Sequence, residues 1–179
     1  VNLYMPVTKR KGFLPDTAQV LASLDELRRL SRAVISSDAM MGIYLGKAHG
    51  AGRDDRFSGR ILPNGSITPS TYLLEDPWLL EGALEDADLR EIAEHDAFVR
   101  YHNAPVPAEC DGCPVRETCA GGSVERRWLV HGALARRDPY CLREELGDAV
   151  LARRTDTGAA WTGPAVHLDY LPTIMVMPE

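Results

Sequence analysis

Apolar residues recur at helical spacing early in the chain: Val20, Leu24, Leu27, Leu30 and Val34 fall on one face. Asp16 stands where a helix cap belongs, and Gln19, three residues on, completes the reciprocal pattern of a capping box. Before that helix, Leu3, Met5 and Val7 alternate with Asn2, Tyr4 and Pro6, which reads as a short strand over residues 1–7. The apolar run at 41–45 predicts a second strand, and the Gly- and charge-rich stretch 49–58 predicts a loop. Residues 59–62 and 66–68 flank Pro63-Asn64-Gly65; Asn-Gly favours the positive φ angles of a tight turn, so this segment predicts a hairpin. After Glu75-Asp76-Pro77 the spacing predicts a helix over 86–101 with Asp86 as its cap and Leu89, Ile92, Ala93 and Val99 on one side. Pro105 and Pro107 open an irregular loop through 110–114, and helices are expected over 124–134 and 142–153. Beyond Thr155 the periodicity fades, and Gly163-Pro164 and Leu171-Pro172 suggest an irregular or strand-like tail. The expected class is α+β: a small β-hairpin with flanking helices and a cysteine-rich metal-binding loop region.

Composition narrows the functional classes. With 45% apolar residues, 179 residues can bury a sizeable core as one domain or two small ones. Twenty basic against twenty-six acidic residues leave a net charge of −6 with no block able to form a phosphate-binding stripe, which argues against nucleic acid as a partner. The cluster Thr8-Lys9-Arg10-Lys11 lacks the apolar run of a signal peptide, and no membrane-length apolar stretch occurs. The expected compartment is the cytoplasm, where structural disulfides are rare, so the cysteines point to metal or redox chemistry.

Cys110, Cys113, Cys119 and Cys141 are the only four cysteines, arranged as C-x2-C-x5-C with a fourth thiol far downstream. A C-x2-C turn brings two sulfurs to one side, half of what a four-ligand site requires. Structural zinc sites more often repeat the short pair, and bacterial ferredoxins use a denser run. By spacing alone iron–sulfur and zinc stand level.

The stretch Cys110-Asp111-Gly112-Cys113-Pro114-Val115-Arg116-Glu117-Thr118-Cys119-Ala120-Gly121-Gly122, with Asp138-Pro139-Tyr140-Cys141, resembles the SPASM domain at the C-terminus of many radical S-adenosylmethionine enzymes. That family carries C-x2-C-x5-C-x3-C and a later cysteine, and an upstream C-x9-15-G-x4-C, which together hold two auxiliary [4Fe–4S] clusters. The resemblance implies that Cys110, Cys113, Cys119 and Cys141 form the complete ligand set of the outer one. The positions implied for the other cluster are vacant together: Ser123 replaces one cysteine, Ser70 stands four residues after Gly65, and the segment around His49 has none. The radical-generating C-x3-C-x2-C loop is also missing, so these 179 residues are not a radical enzyme by themselves.

The resemblance covers roughly residues 40–150. Residues 1–38 look like the last strand and helix of the family's partial barrel, 39–154 like the iron–sulfur domain, and 155–179 an irregular tail. The chain then resembles the C-terminal portion of a longer enzyme, or a separate frame whose Val1 stands for a GTG start. The implied function is to bind one [4Fe–4S] cluster beside a radical core protein and a peptide substrate, relaying an electron or supporting structure. A zinc-stabilised interaction module or an inactive homologue are the alternatives. His49 as an iron ligand is disfavoured. His95, His102, His131 and His167 are expected in surface or capping roles, the acidic run 86–96 as a solvated helix face, and Trp78, Trp128 and Trp161 as packing residues. Arg116, Arg126 and Arg127 lie near the ligands and are expected to be solvated.

Overall fold

The reciprocal cap predicted for the first helix is present. The Gln19 backbone N–H donates to Asp16 Oδ1 at 2.7 Å and the Asp16 N–H to Gln19 Oε1 at 3.0 Å, which satisfies donors that a helix start leaves orphaned. The helix, α1 (Thr17–Leu30), buries Val20 and Leu24. In this computed structural model the described residues are 5–7, 12–30, 34–36, 38–45, 59–82, 88–154 and 174–176. Of the first expected strand only 5–7 fall within them, and these are not strand. The expected loop at 49–58 lies outside the described residues.

Two compact units divide the chain. One is drawn from Val1–Gly52 and Val106–Glu179, the other from Arg53–Pro105.

In the first unit, Val34 is not on α1 but in a strand, β1 (Val34–Ser36). The expected strand over 41–45 is instead a helix, α2 (Ala39–Leu45). Its run is buried on all sides, so apolar periodicity cannot separate the two conformations. The deciding signal is Asp38, whose Oδ1 accepts the N–H groups of Met40 and Met41, each at 3.1 Å. Val20 and Leu24 of α1 pack with Met40, Met41 and Tyr44 of α2 and with Tyr140 and Leu142; Cys119 and Cys141 lie against this cluster. Each fully buried Leu or Met contributes roughly 1.5–3 kcal/mol.

In the second unit, β2 (Arg60–Ile61) and β3 (Ile67–Thr68) pair antiparallel, with Arg60 opposite Thr68 and Ile61 opposite Ile67. The predicted turn is there: Gly65 has φ +82°, and Asn64 Oδ1 accepts the Ser66 N–H at 3.1 Å. The single helix expected over 86–101 is two, α3 (Leu89–Glu94) and α4 (Asp96–His102), broken at His95. The cap of α3 is Asp88, which accepts from Arg90 and Glu91; Asp86 lies outside the described residues. The buried face is Ile92, Ala97 and Phe98, whereas Leu89 and Val99 are exposed. His95 extends its backbone and accepts the Ala97 N–H through Nδ1, restarting the helix in a new register.

Back in the first unit, a 3₁₀ turn at Ala108–Cys110 leads to α5 (Arg116–Cys119) and α6 (Val124–His131). The helix expected over 142–153 is split at Gly147 into α7 (Arg143–Leu146) and α8 (Asp148–Arg154). A last strand, β4 (Ile174–Val176), pairs antiparallel with β1. Among the described residues no helix is long and apolar enough to cross a membrane.

Candidate metal centre

Local turn chemistry brings the first three cysteines together. The Cys113 N–H donates to the Cys110 carbonyl at 3.1 Å across Gly112, whose φ of +70° is costly for any other residue. The Arg116 N–H then donates to the Cys113 carbonyl, and one turn of α5 returns the chain to Cys119. Ala120, Gly121 and Gly122 follow at φ +51°, +86° and +82°, three left-handed residues that reverse the path, and the Gly122 N–H closes onto the Cys119 carbonyl at 2.9 Å. After α6 the chain comes back beside this reversal. The Asp138 N–H donates to the Gly121 carbonyl, and the Cys141 N–H to the Asp138 carbonyl, each at 3.0 Å.

All four thiols thereby line one cavity. Its atom-free space is about 560 Å³, part of it open to solvent, and Met40, Ile43, Tyr44, Val115 and Leu151 supply its apolar wall. Cys110 is buried and the other three half-buried. Burial is the main cause that pushes the Cys110, Cys119 and Cys141 thiols up. Neighbouring thiols add to it at Cys110, the carboxylates of Asp138 and Asp38 at Cys119, and an N–H from Arg143 partly opposes it at Cys141. Four soft donors around one space suit zinc or an iron–sulfur cluster. Among the described residues, however, no three His, Cys, Asp or Glu side chains converge on a point where a single ion could sit. The chemistry of the donor set, four thiols lining one cavity, is what an iron–sulfur group would require.

Arg126 and Arg127 were expected in solvent and are wholly buried. Arg126 Nη2 meets Asp38 Oδ2 and Asp138 Oδ2, both at 2.6 Å, and its Nε donates to Asp138 Oδ1 at 2.9 Å. Its guanidinium carbon lies 5.1 Å from the centroid of the Tyr140 ring. Burial opposes the charge, but the Asp138 and Asp38 carboxylates more than offset it, so the Arg126 pKa stands above its ordinary value. Arg127 donates from Nε to the Arg136 carbonyl at 2.9 Å and from Nη2 to that of Leu134, tying off the turn after α6. The expectation failed because a burying partner can be remote in sequence: nothing near Arg126 announces Asp38. In the sequence Asp138 figures only within the Asp138-Pro139-Tyr140-Cys141 stretch, and the one local trace of Asp38 is its place as a cap before an apolar run.

The cavity rim is charged. Arg143 Nη1 donates to the Asp111 carbonyl at 3.2 Å, across the Cys110–Cys113 turn, while its Nε pairs with Asp148 at 2.8 Å. Arg137 pairs with Glu144, and its N–H donates to Glu109 Oε2 at 2.9 Å, holding that carboxyl below its usual range. Arg116 is partly exposed and pairs with Glu117 at 2.8 Å.

Ser123 is the N-cap of α6, with Oγ accepting the Arg126 N–H at 3.2 Å. Ser70 is buried in the second unit, where its Oγ accepts the Tyr72 N–H at 3.3 Å. His95 caps α4 as expected of it, His131 bonds the Arg137 carbonyl, and Trp78 is fully buried. Asp88, Glu91, Glu94 and Asp96 are exposed, as a solvated face requires. His49, His167 and Trp161 lie outside the described residues.

No family model matches the chain. The sequence is homologous to the PqqA peptide cyclases. It is 28% identical over 159 residues to that of Xanthomonas euvesicatoria pv. vesicatoria (strain 85-10) and 27% identical over 159 residues to that of Xanthomonas axonopodis pv. citri (strain 306). Each match takes in 84% of this chain and 42% of the relative, so the chain spans less than half the length of the curated relatives it matches. The fold is similar to a solved structure, native anSMEcpe with bound AdoMet and Kp18Cys peptide, at 16% identity and a TM-score of 0.54, covering 77% of this chain and 42% of that one.

Proposed function

We propose that this chain is the iron–sulfur-binding portion of a peptide-modifying radical S-adenosylmethionine enzyme, holding one [4Fe–4S] cluster through Cys110, Cys113, Cys119 and Cys141. The single observation that carries this reading is the convergence of all four thiols on one cavity. The peptide part rests on homology to the PqqA peptide cyclases and on the SPASM resemblance of the cysteine segment. Residues 39–154 would form the cluster-bearing portion. The adenosyl-radical step would belong to residues outside these 179, on the same or a partner polypeptide, because C-x3-C-x2-C does not occur here.

When bound, a cluster with four thiolates has no open iron, so it supplies outer-sphere electron transfer or structural support. The protein's own tasks follow from the cavity. The thiols would lose their protons on loading, and burial makes that loss costly at Cys110, Cys119 and Cys141. Met40, Ile43, Val115 and Leu151 keep water from one side. Arg116, Arg137 and Arg143 stand on the cavity lining, each paired with a carboxylate, beside Glu109 and Asp138.

Anaerobic purification is expected to yield a brown protein with about four irons and four sulfides per chain; a colourless protein with stoichiometric zinc would overturn the cluster. Cys119→Ala is expected to lose the iron and to lower thermal stability, since loading is coupled to folding. Unchanged iron in that variant counts against this ligand set.

A further inference from the structure

We infer that Arg126, through its buried ion pairs with Asp38 and Asp138, is a positioning residue that holds the segments of Cys119 and Cys141 against α2 before any iron is bound. The inference rests on the reading of the cavity as a cluster site. It names residues that make no contact with iron in that reading.

Three segments meet at one guanidinium. Asp38 belongs to the start of α2, where Oδ1 takes the Met40 and Met41 N–H groups while Oδ2 takes Arg126 Nη2. That fixes the helix whose Met40, Ile43 and Tyr44 wall the cavity. Asp138 joins the other two segments. Its Oδ2 accepts the Ser123 N–H at 2.7 Å, four residues beyond Cys119, and its Oδ1 accepts the Tyr140 N–H at 2.9 Å, next to Cys141. Arg126 itself follows the same reversal, and Tyr140 packs under its guanidinium. Cys119 and Cys141 are thus each a few bonds from a carboxylate that one cation clamps.

The clamp has little freedom. The side chains of Arg126, Asp38 and Asp138 are 0%, 3% and 1% exposed, so none can trade its partner for water without opening the core. A Cβ placed on Gly122 would lie 2.5 Å from Asp138 Oδ2 and 2.4 Å from its Cβ, so that carboxylate has no room to turn toward the reversal. An ordinary core would be served by apolar side chains of similar volume. A guanidinium between two carboxylates instead sets distances and angles, because each bond is directional.

The test compares Asp38→Asn, Asp138→Asn and Arg126→Lys with Asp16→Ala, which weakens the α1 cap far from the network in sequence, all in the full-length protein. Urea midpoints identify variants that remain folded. Iron loss to a chelator is then timed, and the bridging of iron-free thiols by dibromobimane, which links only sulfurs a few ångström apart, is measured separately. Asp38→Asn and Asp138→Asn are expected to lose iron about tenfold to a hundredfold faster, the usual effect of removing a group behind a metal ligand, and to change the bridging yield. Arg126→Lys, which keeps the charge without the fork, is expected to fall between them and the wild type. Asp16→Ala is expected to lower the midpoint and leave both readouts alone.

Folded network variants with wild-type iron loss and wild-type bridging would overturn the inference, as would Asp16→Ala matching them at equal stability. If Arg126→Lys fails to fold, the two Asn variants decide. A wild-type protein that takes up no iron sinks the proposed function, and an altered bridging yield in the Asn variants would then still support the positioning role.

Discussion

Replacing Gly122 by alanine tests whether Asp138 is packed as tightly as its bonds suggest. Two separate costs apply. Gly122 has φ +82°, and a left-handed backbone costs an L-residue about 1–2 kcal/mol. The added Cβ would also stand 2.4 Å from Asp138 Cβ, 2.5 Å from Oδ2 and 2.8 Å from Cγ, distances that force something to move. Asp138 cannot swing aside cheaply, because its oxygens hold Arg126, Ser123 and Tyr140. Overpacking of this kind costs about 1–3 kcal/mol, so the sum is about 2–5 kcal/mol, a large share of a typical domain's 5–15 kcal/mol. Gly132 provides the control: it caps α6 at φ +66° with nothing within 4 Å of an added Cβ, so Gly132→Ala incurs only the backbone cost of about 1–2 kcal/mol. In urea, with a slope of about 1–3 kcal/mol/M, the midpoint of Gly122→Ala should fall about 1 M below that of Gly132→Ala with the slope unchanged. Coincident midpoints would refute the reasoning, because they would leave Gly122 with a backbone role alone. Adding Asp138→Asn to Gly122→Ala should give a destabilisation smaller than the sum of the two, as residues in contact do.

Ser123→Ala should cost about 1 kcal/mol through the lost cap of α6 and leave iron content unchanged; a drop in iron with full stability would make Ser123 a ligand. The iron-free protein should lose stability as pH rises. Burial raises the Cys110, Cys119 and Cys141 thiols, so the folded state keeps protons that the unfolded chain releases above its ordinary thiol value. The contribution is therefore whole below that value and declines as pH climbs past about 8.5 toward the folded values. Urea midpoints taken from about pH 7 to 10 should fall more steeply for the wild type than for Cys119→Ala, and parallel curves would contradict the burial of that thiol.

Local chemistry was legible wherever the partners are close in sequence. The Asp16–Gln19 box and the Asn64-Gly65 turn depend on residues within four of one another and stand where the pattern puts them, and the helix expected over 124–134 is present but ends at His131, where Gly132 caps it. The four cysteines were also evident, and their number and type limited the chemistry to soft-metal or redox work. Errors came where apolar periodicity leaves two local options equal and a cap chooses between them. The run at 41–45 suits strand or helix alike, and Asp38 decided it. The pattern over 86–101 continues smoothly through His95, yet the burial of Phe98 and the cap at His95 broke the helix there.

Short-range bonds made the Asp16–Gln19 cap of α1 and the Asn64-Gly65 turn readable from the chain alone, and the C-x2-C spacing of Cys110 and Cys113 pointed to paired sulfurs. The fold brings Cys141, which the resemblance already grouped with the other three, to their cavity, and it alone makes Arg126 a buried cation between Asp38 and Asp138. The reason is energetic. A charged side chain favours water unless the fold delivers oppositely charged groups to it, and no rule of spacing says which distant carboxylates will come.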